Sequence, residues 1–104
     1  MVEIGADVWD QIIAESLASL RRSVGTQEAD YARGVRREVE GLQAELPAFS
    51  SLDAYDRWFD ARLDAAQTFL AEAPTLSAYD EGQGRIEAVL AAHRLLASYV
   101  VAAI

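Results

Sequence analysis

The chain has 104 residues, 52% hydrophobic and 25% charged, with a formal net charge of −8 and no cysteine. That length suits one domain over residues 1–104 with a single core, and the composition is globular rather than disordered. Without cysteine there are no disulfides, thiolate nucleophiles or zinc–thiolate sites, and the negative balance opposes direct nucleic-acid binding and anionic membrane surfaces. Lysine and asparagine are missing as well, and all nine basic residues are arginine. A GC-rich genome or a salt-adapted proteome produces such a bias, and neither speaks to function.

The opening MVEIGADVWD lacks the basic, apolar and small-residue order of a signal peptide. The longest uncharged run, residues 95–104, is about half of the roughly 20 residues that a membrane span needs. The expectation is a soluble, cytoplasmic protein.

A first helix fits residues 8–24. Asp7 is its expected N-cap, and Trp9, Ile12, Ile13, Leu17, Leu20 and Val24 recur at helical spacing. Arg21 and Arg22 suit the negative end of the helix dipole, and Gly25 follows as a stop.

Thr26 then caps a second helix over 27–46, with a narrow stripe of Tyr31 or Ala32, Val35, Val39, Leu42 and Leu46. Gly34 and Gly41 lie off this stripe. Each weakens the helix by about 1 kcal/mol relative to alanine, and each leaves room for a closely approaching neighbour.

Pro47 ends that helix, and a third follows over 51–72, started by Ser50 with Asp53 three residues on. Its apolar face is Leu52, Tyr55, Phe59, Leu63, Ala66 and Leu70, flanked by Trp58 and Phe69, and Pro74 closes it. The fourth begins at Ser77, or at Arg85 if DEGQG delays it, and runs to 103. Ile86, Val89, Leu90, His93, Leu96, Ala97, Val100 and Ile104 share one face, with Leu95 and Tyr99 opposite. A helix apolar nearly all round is either central or shared with another chain. No alternating strand pattern and no hairpin turn occurs. The expected fold is all-α, an antiparallel four-helix bundle or compact helical domain.

Catalytic groupings are scarce. The single histidine, His93, would have to carry any Ser-His-Asp arrangement, and its place on the apolar face suggests a buried, hydrogen-bonded ring instead. Leu90 stands three residues before it, so the Glu-x-x-His pair of di-iron bundles is absent. Glu-x-x-Glu magnesium spacing is missing too, the nearest match being Asp53-x-x-Asp56. No enzyme activity, cofactor or metal is expected.

Four aspartates, Asp53, Asp56, Asp60 and Asp64, fall within roughly 80° of one another on the third helix. A helix is too straight to wrap oxygen ligands around an ion, so the stripe reads as solvated surface or as a partner-binding surface. Trp58 at its edge is the expected exposed aromatic and interface anchor. Arg62 falls on the apolar face, where a guanidinium needs an acid from another helix or a ligand. Residues 38–104 hold eleven acids against four arginines, a balance of −7, whereas residues 1–37 carry −1.

These features favour a non-enzymatic interaction module that binds and modulates a protein partner, in the manner of a phage or mobile-element inhibitor, an immunity protein or an antitoxin. In that case Asp53, Asp56, Trp58, Asp60 and Asp64 form the binding face, as a mimic of nucleic acid. Two alternatives stand beside it. One is a self-assembling subunit, a homodimer through helix 4. The other is a small-molecule-binding bundle with a pocket near Arg62, His93 and Tyr99.

Overall fold

A computed structural model describes residues 4–19, 28–46 and 51–103. They form four helices: α1 (Ala6–Ala18), α2 (Glu28–Glu45), α3 (Leu52–Ala71) and α4 (Leu76–Ala103). There is no strand among the described residues, and the helices pack as an all-α four-helix bundle.

Several boundaries differ from expectation for local reasons. The N-cap of α1 is Gly5, and Asp7 sits in the first helical turn, where its charge meets the positive end of the dipole. Ser51, not Ser50, caps α3, its hydroxyl accepting from the amide of Ala54 at 3.1 Å. Thr75 starts α4 in the same way, accepting from Ala78 N at 3.1 Å. The helix therefore begins before Ser77 and runs straight through the DEGQG segment. Leu20, Arg21, Arg22, Val24, Gly25, Thr26, Pro47 and Ser50 lie outside the described residues.

Central position falls to α4, which packs against α1, α2 and α3. It runs antiparallel to α3, with Phe59 against His93 at one end and Leu70 against Gly82 at the other. It is also antiparallel to α1, where Ser19 meets Glu87 and Glu15 meets Arg94.

The contact of α2 with α4 depends on two glycines. A Cβ at Gly34 would run into the carbonyl of Glu81, and one at Gly84 into the carbonyl of Tyr31. Neither glycine is a hinge or a helix start; each is the point where one backbone touches the other.

The core joins Trp9 and Ile12 of α1, Tyr31, Val35, Val39 and Leu42 of α2, Tyr55 and Phe59 of α3, and Val89 and Leu96 of α4. Ala88, Ala91 and Ala92 are buried with them. This rotates α4 away from the face expected of it. Val89 and Leu96 of the expected face are buried, but beside them the small Ala88, Ala91 and Ala92, rather than Leu90 and His93, turn inward, where close helix packing leaves little room. Leu90 is 46% exposed, and His93 is exposed as well.

Candidate functional site

Arg62 is the hub of the polar interior. Its Nε and Nη2 donate to Glu38 Oε1 at 3.0 and 2.8 Å, and its Nη1 donates to Glu45 at 2.7 Å. Glu38, only 1% exposed, uses its second oxygen to accept from Arg85 Nε at 2.9 Å. Arg85 in turn lies over the Phe69 ring, 4.8 Å from its centroid. A buried carboxylate is thus shared by two guanidiniums, and α2, α3 and α4 are tied at one point. Arg62 is engaged in the fold rather than presented to a ligand.

The other described ion pairs between helices follow the same logic. Arg33 and Arg37 reach from α2 to Glu81 on α4, and Arg94 reaches from α4 to Glu15 on α1. The hydrogen bond from Arg94 holds the Glu15 carboxyl below the usual carboxylate range.

The aspartates of α3 differ. Asp53, Asp56, Asp60 and Asp64 are all exposed, and none forms an ion pair with another described residue. Arg57, four residues after Asp53, is the one cation on that side of α3, so the outer face of the helix is an acidic strip broken once by a guanidinium. Trp58 does not stand beside it as an exposed anchor. Its ring is half-buried and packs edge-on against Phe59, with centroids 4.7 Å apart.

His93 is not the buried, hydrogen-bonded histidine expected from its spacing. Its ring stacks on Tyr55 at 5.8 Å and meets Phe59 at 5.1 Å, yet the residue is exposed. It borders a cleft of about 60 Å³ with Phe59, Asp60, Leu63, Val89 and Leu90. Tyr99 is 42% exposed and lies nine residues from Leu90, on the opposite side of α4. Arg62, His93 and Tyr99 therefore do not converge, and the pocket expected among them is not formed.

Spacing did not reveal one surface. At 100° per residue, Tyr79, Ile86, Leu90, Ala97 and Val101 fall within about 60° on α4. Tyr79, Leu90 and Val101 are 43%, 46% and 55% exposed, and Ile86 and Ala97 are half-buried. Gln83 falls within the same arc, so the central helix turns a largely apolar stripe, broken at Gln83, outward between α1 and α3. Its signal in the sequence was the excess of apolar residues over what one buried face needs.

Among the described residues no group of three or more histidine, aspartate or glutamate side chains is placed to hold a metal ion. No described helix is long and apolar enough to cross a membrane. Fold and surface define a class, an acidic all-α four-helix bundle with one acidic and one apolar outer strip. No family model, curated protein or solved structure matches the chain.

Proposed function

We propose that the protein is a non-enzymatic interaction module whose α3 outer face binds a basic surface of a partner protein and modulates it. One observation carries this reading. Every described ion pair between helices uses acids other than the four aspartates of α3, which stay exposed and outside every described ion pair. Like charges at i,i+3 and i,i+4 destabilise a helix by a few tenths of a kcal/mol per step. A partner's arginines or lysines would remove that cost and gain steering from the protein's net charge of −8.

The regular line of carboxylates along the helix also supports mimicry of a nucleic-acid backbone, which makes a nucleic-acid-binding protein the favoured class of partner. Reversal of Asp56 and Asp60 to arginine tests the reading, because both side chains are exposed and the substitution leaves the core untouched. Loss of partner capture is expected, and undiminished capture rejects the α3 face.

A further inference from the structure

The junction of α3 and α4 holds two clefts in line. One, of about 60 Å³, is lined by Phe59, Asp60 and Leu63 of α3 and by Val89, Leu90 and His93 of α4. The other, of about 190 Å³, is lined by Leu70 of α3 and by Gln83, Ile86 and Glu87 of α4. We infer, on the reading that the partner is basic and meets α3, that this groove seats one basic amphipathic helix of that partner. An apolar side chain of the helix enters each cleft, and an arginine or lysine stands beside each.

The surface favours a helix as the seated element. No described residue is in a strand, so there is no open sheet edge for an extended segment to join, and a groove between helices is the mode that remains. At 1.5 Å per residue the lining residues of the two clefts are centred roughly 8 Å apart along α4 and roughly 14 Å apart along α3. Residues i and i+7 of a helix lie ~10.5 Å apart, between those values, so one helix face reaches both clefts.

Charge selects the kind of helix. Each cleft has one carboxylate on its rim, Asp60 or Glu87, and no arginine among its described lining residues. Neither carboxylate enters a described ion pair, although Glu87 accepts from Ser19 Oγ at 3.0 Å. Asp56 and Asp64 stand one turn to either side of Asp60 on α3. An uncharged apolar helix would strip water from these carboxylates and give nothing back, whereas a cationic flank offsets that loss. A second copy of this chain, at a net charge of −8, would bring acid to acid.

Fluorescence anisotropy on the full chain tests this with two labelled synthetic peptides of identical leucine, arginine and alanine content. In one, a helix gathers the leucines on a single face; in the other, the same residues are scrambled so that no face forms. The wild type should bind the first at least about tenfold more tightly, the worth of burying one leucine side chain. Leu90→Gln, an exposed substitution, should remove that preference and leave both peptides bound with the same salt dependence. Absence of binding, or equal affinity for the two peptides, overturns the groove, and so does a preference that Leu90→Gln leaves intact. Asp56→Arg with Asp60→Arg should weaken both peptides, and unchanged binding of both overturns the acidic-face reading beneath the proposal. A wild type that doubles its 11.4 kDa mass in sedimentation, with Leu90→Gln monomeric, assigns the groove to a second copy and overturns the basic helix as its occupant.

Discussion

Arg62 of α3 grips Glu38 of α2 through two donors on a single carboxylate oxygen, at 3.0 and 2.8 Å, while Arg85 of α4 takes the other oxygen. A charge this deeply buried is stable only while its partners remain, because an unpaired ion in the interior cannot recover its lost hydration. Glu38→Ala would leave two guanidiniums, only 20% and 17% exposed, facing each other without their shared acid. The expected loss is about 3–5 kcal/mol in urea unfolding. Arg62→Ala should cost less, since Arg85 still satisfies Glu38. A Glu38→Ala loss below about 1 kcal/mol, the level of an exposed pair, would contradict the shared ion site.

The two glycines at the α2–α4 crossing invert the usual effect of alanine. In an exposed helix, glycine to alanine stabilises by about 1 kcal/mol. At Gly34 and Gly84 the added methyl meets the backbone carbonyl of the facing helix, which cannot move aside as a side chain can. Gly84→Ala and Gly34→Ala should each destabilise by about 1–3 kcal/mol through overpacking. Gly41→Ala is the control. Its Cβ would meet only the tip of Arg62, Nη2 at 2.9 Å, so its cost should be smaller. Thermal melts showing Gly84→Ala as stable as wild type would contradict the close approach.

How much of this was legible before the coordinates depends on what each residue's spacing encodes. Number and order of the helices follow from apolar periodicity, and the end of α3 from Pro74, whereas α1 stops at Ala18, short of the expected residue 24. The exposure of the aspartates follows from their place away from Phe59 and Tyr55. The pairing of Arg62 was legible only as a need for some acid. Which acid it was depended on the crossing of α2 and α3, and no periodicity carries that.

His93 and Leu90 were misplaced because hydrophobicity was read as depth. In α4 the tightest contacts go to glycine and alanine, since close approach rewards small side chains more than apolar ones. Trp58 was expected exposed for a different reason, its place at the edge of the aspartate stripe, but its ring packs edge-on against Phe59 and is half-buried.

Tyr55 makes stability depend on alkaline pH. Burial first, and the Asp56 carboxylate second, push its hydroxyl from 10.0 up to about 12. The folded state therefore keeps the phenol neutral where the unfolded state has begun to ionise. The contribution is fully present below pH 10 and is lost as pH rises from 10 towards 12. Melting temperature should fall over that window more steeply for the wild type than for Tyr55→Phe, which has no proton to lose. Parallel curves would show that Tyr55 does not govern the alkaline transition.

The central claim is that the exposed aspartates of α3 form the binding face. Its most direct measurement is capture of protein partners from native lysate by the wild type and by the Asp56→Arg, Asp60→Arg double variant, side by side at low and raised salt. Far-ultraviolet dichroism should first show equal helicity for the two chains. The account predicts a partner that the wild type retains, that raised salt weakens and that the double variant loses. Equal retention of that partner by both chains would contradict it.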